Sequence, residues 1–246
     1  MTIPIENQPN VICIIPARGG SKGLKLKNLQ KVNNQPLLYY PIKSALKSEV
    51  CDHIFVSTDN LAISKIAKKL GANVPFLRKK IFSGDRVSTE DTLRDALLSY
   101  EKYVGIKFDI CVFLTCTNIF RDFMYIKKAV DLLKKKPKID SAFVVTKIYK
   151  HFWCKKKKKL SKALPWMNNY HSRQHAPELY LENTGIACAT RAKFWRRGKR
   201  IGKKVFLIKN NFPFSEVDIH SKNDLFLANK IAELIYKNKK LKKRFV

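Results

Sequence analysis

The chain has 246 residues, of which 45% are apolar, and its formal net charge is +31. This length suits one α/β domain with an insertion, and no apolar run approaches the roughly 18 residues that a membrane-spanning helix needs. The charge would suit a nucleic acid or an anionic membrane surface. Because the lysines are spread along the whole chain rather than gathered on one face, we expect no nucleic-acid partner.

The six cysteines form no CxxC pair, and several of them fall in apolar runs. This pattern predicts reduced cysteines that lie mostly in the core. The segment Met1–Asn10 carries Glu6 and no basic region, so we expect no signal peptide and a cytoplasmic protein.

Apolar runs typical of strands alternate with amphipathic stretches typical of helices, which predicts a mainly parallel sheet with helices on both faces. The predicted strands span residues 11–15, 54–57, 110–114, 142–145 and 186–189. The predicted helices span residues 37–47, 63–70, 93–104 and 126–133. A last helix begins near Ser221, with Asp224 placed as in a capping box. We expect the basic tail, residues 237–244, to fray.

The region 147–182 interrupts this alternation. It is rich in lysine, aromatic, histidine and polar turn residues and has no clear periodicity. A loop this long inside a compact domain is usually functional or disordered.

The turn after the first predicted strand has the composition of a phosphate-binding loop. Its small residues let backbone N–H groups approach a ligand closely: Gly19, Gly20, Ser21 and Gly23. Its cations suit a polyphosphate: Arg18, Lys22 and Lys27. These features predict a nucleoside triphosphate site. The glycine spacing fits neither the Walker A motif nor the Rossmann pattern, so an ordinary βα turn with incidental lysines is the alternative.

Polar clusters follow several of the predicted strands. They are Arg18–Asn28, Ser57–Asn60, Thr115–Arg121 and Asp218–His220. In an open α/β sheet, ligands bind outside the carboxyl ends of the strands. We therefore expect these clusters to meet at one edge of the sheet and to form the ligand site.

The order of residues in the first loop resembles the first signature of the CMP-sialic acid synthetases (acylneuraminate cytidylyltransferases). A strand ends in Ala17-Arg18, Ser21-Lys22-Gly23-Leu24 follows, and Lys27-Asn28 completes the pattern. Lys25 stands where the family often has proline. The resemblance continues in register through most of the chain.

This resemblance implies an α/β fold with three layers, in which a mostly parallel, Rossmann-like sheet is of the nucleotide-diphospho-sugar transferase type. It implies a single cytidylyltransferase domain over residues 1–246, in which 148–182 is an inserted arm. In the family this arm forms the homodimer and closes the sugar pocket of the neighbouring subunit.

The resemblance also implies a set of nucleotide-binding residues. The first loop contributes Ala17, Arg18, Gly19, Gly20, Ser21, Lys22, Lys27 and Asn28. A segment that resembles the family's base-reading stretch contributes Arg78, Asp85, Ser88 and Thr89. A third segment contributes Thr115 and Thr117, and Thr115 replaces the glutamine that contacts the nucleotide in the family. For Ser88 and Thr89, a helix N-cap is the alternative.

Two segments resemble the family's sugar-binding elements. Arg173 and Gln174 match its Arg-Gln motif, which implies that Arg173 pairs with the sugar's carboxylate or with phosphate. The alternative is a solvated arginine on a basic loop. Asn183 falls on a further sugar-binding segment, in which Leu181 replaces an arginine that some members carry.

The metal site that the resemblance implies departs from the family pattern. The family holds Mg²⁺ with an Asp-x-Asp pair on a strand, whereas this chain has Asp218 and then His220. Because Mg²⁺ prefers oxygen ligands, an imidazole is a poor substitute, and His220 would favour Mn²⁺ or Zn²⁺ or bind through water. Glu216 would share a face with Asp218 on a strand and is a candidate for the missing carboxylate.

The implied function is transfer of a cytidylyl group from CTP to an acidic nine-carbon sugar of the sialic type, with release of pyrophosphate. Arg18, Lys22 and Asp218 are its candidate catalytic residues. One alternative is the same reaction on pseudaminic, legionaminic or 3-deoxy-octulosonic acid. Another is a catalytically lapsed, basic binding protein of the same fold, which the altered residues Thr115 and His220 would favour.

Overall fold

The computed structural model describes residues 8–21, 23–157, 159–170 and 172–245. Its strands are β1 (Val11–Pro16), β2 (Lys31–Val32), β3 (Gln35–Pro36), β4 (His53–Ser57), β5 (Ile110–Phe113), β6 (Ser141–Ile148), β7 (Trp153–Lys156), β8 (Lys159–Lys162), β9 (Leu179–Glu182), β10 (Cys188–Arg191) and β11 (Val205–Lys209). Its α-helices are α1 (Tyr39–Ser48), α2 (Leu61–Lys69), α3 (Thr89–Val104), α4 (Met124–Lys135), α5 (Ala192–Arg196), α6 (Lys222–Lys237) and α7 (Lys239–Arg244).

The central sheet has the strand order β11-β6-β10-β5-β1-β4, and β9 pairs with the far end of β6. β1 is parallel to both β4 and β5, and β11 is parallel to β6. β10 is antiparallel to both β5 and β6, so these two strands also run in the same direction. The prediction of a mainly parallel sheet is confirmed. Five strands therefore have their carboxyl ends on the same side of the sheet: β1, β4, β5, β6 and β11.

Side chains of the central strand β1 alternate between two apolar layers. Val11, Cys13 and Ile15 pack in one core with α1, α2, α4 and α6. Ile12 and Ile14 pack in the other core with α3 and α5. Because both faces of β1 are covered by helices, its sequence is a continuous apolar run rather than an alternating one. The predicted three-layer α/β architecture is confirmed.

Side-chain caps set the starts of several helices, among them α2, α3 and α6. Asn60 accepts from the backbone N–H groups of Ala62 and Ile63 at 2.9 and 3.1 Å, which begins α2 directly after β4. Ser88 caps α3, and Ser221 forms the predicted capping box at the start of α6. These caps satisfy N–H groups that have no partner inside the helix.

The region 147–182 contains more regular structure than its sequence predicts. β7 and β8 form a hairpin, and β9 pairs antiparallel with the end of β6, from Val145 opposite Glu182 to Ile148 opposite Leu179. The pairing along β6 supplies backbone hydrogen bonds that no local periodicity reveals. The region 147–182 is therefore tied to the central sheet at both of its ends.

The prediction that the basic tail frays is wrong. Residues of the tail form α7, and Phe245 after it is 1% exposed. The Phe245 ring stacks against the rings of Tyr40 and Phe120, with centroids 5.3 and 5.6 Å away. Arg244 pairs with Asp122 at 2.6 Å. One terminal aromatic ring that enters the core outweighs the repulsion among the preceding lysines.

The cysteines are all free, and four of them are buried, as the sequence predicts. In the part of the chain that the structure describes, no helix has both the length and the apolar character that crossing a membrane requires.

Candidate nucleotide site

A cavity of about 310 Å³ opens at the carboxyl ends of β1 and β5, where two of the predicted polar clusters, Arg18–Asn28 and Thr115–Arg121, meet. It is lined by Pro16, Arg18, Lys27, Asn28, Arg78, Phe82, Gly84, Asp85, Val87, Thr89, Thr92, Thr115, Cys116 and Thr117. Three separate segments of the sequence therefore build one concave site. Two of them follow β1 and β5, as the strand-end argument predicts, whereas residues 78–92 were implied only by the family resemblance.

The loop after β1 is held at both of its sides. The N–H group of Gly19 donates to Asp59 Oδ1 at 2.8 Å, which ties the loop to the end of β4. Asn28 Nδ2 donates to the carbonyl oxygen of Arg18 at 2.9 Å and closes the loop on itself. At Gly23, an added Cβ would overlap the carbonyl oxygen of His220, so only glycine allows this close approach.

The residues predicted in this loop divide into two groups. Arg18, Lys27 and Asn28 line the cavity, whereas Gly19, Gly20 and Ser21 do not. Ala17 is buried and donates its N–H group to the carbonyl oxygen of Ser57 at 2.9 Å, which extends the pairing of β1 with β4. Lys22 lies outside the described residues.

Positive charge is concentrated at the cavity. Arg18 Nη1 pairs with Asp85 Oδ1 across the opening at 2.8 Å, and both side chains are partly exposed. Burial lowers the pKa of the Lys27 ammonium, and the nearby Asp218 carboxylate opposes that effect. A bound phosphate would also raise the pKa of Lys27, because a nearby negative charge stabilises the charged ammonium.

Arg78 forms one wall of the cavity. Arg78 is buried, with only 7% of the residue accessible to solvent. Its Nη2 donates to the carbonyl oxygen of Ser57 at 2.9 Å, and its Nη1 donates to that of Phe82 at 3.3 Å. Burial lowers its pKa. Arg78 thus joins the end of β4 to the loop before α3.

The Ser88 hydroxyl serves as a helix cap. It accepts from the backbone N–H of Asp91 at 3.0 Å and donates to Asp91 Oδ2 at 2.7 Å. The residue does not line the cavity, whereas Thr89 does. The capping interpretation therefore accounts for Ser88, and the ligand interpretation fits Thr89.

The floor of the cavity follows β5. Thr115 Oγ1 donates to Asn118 Oδ1 at 2.7 Å, and its backbone N–H donates to the carbonyl oxygen of Gly185 at 3.0 Å. Thr117 accepts with its carbonyl oxygen from the N–H group of Ile219 at 3.2 Å. The floor is thereby joined to the segment that carries Asp218.

The residues predicted to bind sugar lie apart from this cavity in the single chain. Arg173 and Gln174 are exposed, and the Arg173 guanidinium lies 5.8 Å from the ring centre of Tyr149. Asn183 Nδ2 donates to Thr146 Oγ1 at 2.6 Å near the end of β6. None of the three lines the cavity described above.

The candidate metal ligands do not form the expected strand pair. Residues 217–220 lie outside the strands and Glu216 lies in a turn, so the expected face shared by Glu216 and Asp218 is absent. His220 Nε2 instead lies 3.0 Å from Asp218 Oδ2, and its Nδ1 lies 3.5 Å from Lys27 Nζ. In the described residues, no three His, Cys, Asp or Glu side chains gather as a metal site would require.

The sequence interpretation missed several residues of this site. Pro16, Phe82, Gly84, Val87, Thr92 and Cys116 line the cavity without having been predicted. Asp59, which fixes Gly19, belongs to a polar cluster that the strand-end argument located but to which it gave no role. Pro16 ends β1 and Cys116 follows β5, so their positions at strand ends were an available signal. Phe82, Gly84, Val87 and Thr92 lie between α2 and the first turn of α3, where the strand-end argument gives no signal.

Comparison with other proteins identifies the family. The cytidylyltransferase family model matches residues 12–239. The post-translational flagellin modification protein B of Campylobacter coli is 30% identical over 234 residues, which cover 94% of this chain and 97% of that protein. The CMP-N,N'-diacetyllegionaminic acid synthase of Legionella pneumophila is 35% identical over 146 residues, or 59% of this chain and 62% of that protein.

A solved structure shares the fold. CMP:2-keto-3-deoxy-manno-octonic acid synthetase complexed with CTP superposes with a TM-score of 0.67 and covers 92% of this chain and 99% of its own, at 14% identity. The resemblance to the CMP-sialic acid synthetases is confirmed by these sequence matches. The chain belongs to the cytidylyltransferase family.

Proposed function

We propose that this protein transfers the cytidylyl group of CTP to an acidic nonulosonic sugar and releases pyrophosphate. The observation that carries the proposal is the cavity at the ends of β1 and β5, where Arg18 and Lys27 face the space beside a loop with the family signature. Backbone N–H groups and fixed cations at such an edge suit a triphosphate.

The reaction needs no covalent intermediate. The anomeric hydroxyl oxygen of the sugar attacks the α-phosphorus in line, a new P–O bond forms, and the bond to the β-phosphate breaks. The hydroxyl proton leaves to solvent, and pyrophosphate carries away the electron pair. Arg18 stabilises the charge that develops on the phosphates, and Lys22 and Lys27 share this role. Asn28, Arg78, Thr89 and Thr117 shape the nucleotide pocket.

Asp218 is the proposed ligand for Mg²⁺. Mg²⁺ is often held by one or two carboxylates together with substrate phosphates and water, so one aspartate beside a triphosphate site fits it. When bound, the ion would neutralise charge on the phosphates. His220 orients the Asp218 carboxylate through its Nε2 rather than replacing a carboxylate, and Mn²⁺ is the alternative ion.

The inserted arm is the proposed dimer interface and sugar-pocket element. Arg173 and Gln174 are exposed in the single chain, and so are the large apolar side chains of Trp153, Leu160 and Tyr170. A second subunit would cover the apolar side chains and place the polar ones beside a sugar.

The proposal is tested by pyrophosphate release from CTP with Mg²⁺ or Mn²⁺, across N-acetylneuraminic, legionaminic, pseudaminic and 3-deoxy-octulosonic acids. ATP, GTP and UTP are the controls. CTP-dependent turnover with one sugar would establish the reaction and the substrate together. The sugar named for the Legionella relative makes legionaminic acid an essential member of the panel.

A lapsed binding protein is the second candidate, because His220 and Thr115 depart from the family pattern. The absence of turnover with every sugar, from folded protein, would support it. The His220→Asp variant then tests whether this residue causes the loss of activity. Restored turnover would locate the defect at His220 and would identify the protein as a lapsed enzyme. Tight nucleic-acid binding that falls steeply with salt would further favour the binding protein.

A further inference from the structure

Arg121 lies completely buried behind the floor of the cavity. Its Nη2 donates to the carbonyl oxygens of Thr115 at 2.6 Å, of Asn118 at 2.5 Å and of Gly185 at 3.1 Å. One guanidinium nitrogen therefore joins the segment after β5 to the turn before β10. These carbonyl groups come from two distant parts of the chain, because Thr115 and Gly185 are 70 residues apart in the sequence.

The two joined segments are in very close contact. An added Cβ at Gly185 would overlap Asn118 Oδ1 and would come within 2.7 Å of Thr115 Oγ1. Movement of either segment therefore moves the other. Thr115, Cys116 and Thr117 line the cavity, so the position of its floor depends on the contact that Arg121 maintains.

The rest of the guanidinium group is unpaired. Nε and Nη1 of Arg121 are buried and have no hydrogen-bond partner among the residues that the structure describes. The three hydrogen bonds described above go to neutral carbonyl groups, and the thiols of Cys13 and Cys116 are close enough to interact electrostatically with the guanidinium. Burial raises the pKa of the Cys116 thiol to about 12, so this thiol stays neutral.

A buried cation without a carboxylate partner is costly to the fold. Burial lowers the pKa of Arg121 to about 10, so the group still carries its charge at neutral pH. The charge lies in a low-dielectric region directly behind the cavity floor, where its field is weakly screened. An anion bound in the cavity would supply the missing negative charge.

We propose that Arg121 is a positioning residue for the nucleotide, which holds the cavity floor in place and supplies positive charge behind the bound phosphates. The inference rests on the proposed function, because the anion it names is the triphosphate of CTP. It predicts that loss of Arg121 weakens nucleotide binding beyond any loss of stability.

Arg191 provides a matched control. It too donates to three carbonyl groups: Nε to Ile139 at 2.9 Å, and Nη2 to Leu133 at 2.9 Å and to Lys136 at 3.2 Å. Arg191 is the last residue of β10 and pairs with Ile110, the first residue of β5. It therefore lies at the amino end of β5, at the opposite end of that strand from the cavity. It makes the same kind of contact without a neighbouring nucleotide site.

The experiment compares Arg121→Met, Arg121→Lys and Arg191→Met with the unaltered chain. Calorimetry measures the Kd for CTP with Mg²⁺ and without sugar, and urea unfolding measures stability. We expect Arg121→Met to raise the Kd at least about tenfold, and Arg121→Lys, which keeps the charge but loses the three-carbonyl geometry, to raise it about threefold. Arg191→Met should lower stability and leave the Kd unchanged.

An unchanged Kd in folded Arg121→Met would overturn the proposal, as would an equal rise in Arg191→Met. If Arg121→Met does not fold, Arg121→Lys decides, because an unchanged Kd for that variant contradicts a positioning role. Failure of the proposed function has a different signature: the unaltered chain would then bind CTP no better than ATP.

Discussion

At the scale of single residues, the cations of the cavity differ in how firmly the fold holds them. Arg18 is bound by one partly exposed ion pair with Asp85, whereas Arg78 and Arg121 are held by backbone carbonyl groups in buried positions. An exposed ion pair contributes little to stability. Arg18 is therefore the cation whose removal separates activity from folding most cleanly.

We expect Arg18→Ala to lower kcat for CTP-dependent turnover by about 10²–10³-fold, because it removes one charged donor from the phosphates. Its free energy of unfolding should change by no more than about 1 kcal/mol. Steady-state kinetics and urea unfolding measure the two effects. The control is Arg197→Ala, an exposed arginine at the end of α5, which should change neither. Near-normal turnover of Arg18→Ala would remove Arg18 from the mechanism.

Glu101 is the residue on which pH-dependent stability depends most clearly. Its side chain is almost fully buried and accepts from Arg196, from Lys107 and from the N–H group of Phe108. Burial acts to raise the pKa of this carboxyl, but these donors outweigh it and leave the pKa below its usual value. The stabilisation is therefore complete above about pH 4.3, the unfolded value, and is lost as the pH falls through the folded pKa.

We expect Glu101→Gln to reduce the free energy of unfolding at pH 7 by about 2 kcal/mol, because a charged acceptor of several hydrogen bonds is lost. Urea unfolding between pH 3 and pH 7 should show that the difference shrinks toward acid. Glu233→Gln, which alters an exposed pair with Lys230, should cost about 0.5 kcal/mol or less. A difference that stays constant with pH would contradict the role of the Glu101 charge.

At the scale of elements, the C-terminal helix supports the site from behind. Phe245 stacks on Phe120, and Arg244 pairs with Asp122, so the tail contacts both neighbours of Arg121 in the chain. Lys47 also donates to the carbonyl oxygens of Lys243 and Phe245. Phe245, which directly follows α7, is thus part of the core, and the tail helps to frame the segment behind the cavity floor.

We expect Phe245→Ala to reduce the free energy of unfolding by about 3 kcal/mol, because a buried aromatic ring is replaced by a cavity. Thermal and urea unfolding measure this loss. Phe226→Ala, at a ring that is 68% exposed on α6, is the matched control and should cost about 0.5 kcal/mol or less. Equal stability of the two variants would mean that the tail is not held in the core in solution.

At the scale of the whole molecule, the net charge and the exposed apolar side chains of residues 148–182 act in opposite directions on self-association. A net charge of +31 opposes self-association through general repulsion. Exposed apolar side chains on the arm favour it. The proposed dimer requires that the apolar contact outweighs the repulsion, and it should therefore tighten as salt screens the charge.

The hairpin β7–β8 offers a direct test of the dimer. The N–H group of Ala163 donates to the carbonyl oxygen of Phe152 at 2.8 Å, so residues 153–162 are replaceable by an Asn-Gly turn without moving the ends. We expect this variant to sediment as a monomer and to retain CTP binding, whereas the unaltered chain sediments as a dimer. A monomeric unaltered chain at all concentrations would refute the proposed interface.

Local sequence patterns were sufficient to identify the alternation of strands and helices, the capping residues Ser88 and Ser221, and the family signature from Ala17 to Asn28. These features depend on neighbours in the chain: buried strands need continuous apolar runs, helix starts need side-chain acceptors, and a phosphate loop needs small residues beside cations. The same pattern predicted that the site lies at the carboxyl ends of the strands, because parallel strands have these ends on one side of the sheet.

The roles of Arg121, Phe245 and the pair of Asp218 with His220 depend on contacts that form only when distant segments pack together. The sequence places Arg121 in a predicted ligand cluster, but its role as a buried link arises only because Gly185 is brought against Asn118. Phe245 follows five basic residues among six, and only the space between Tyr40 and Phe120 draws it into the core. Contacts between distant segments depend on the packing of the whole chain, which no local pattern encodes.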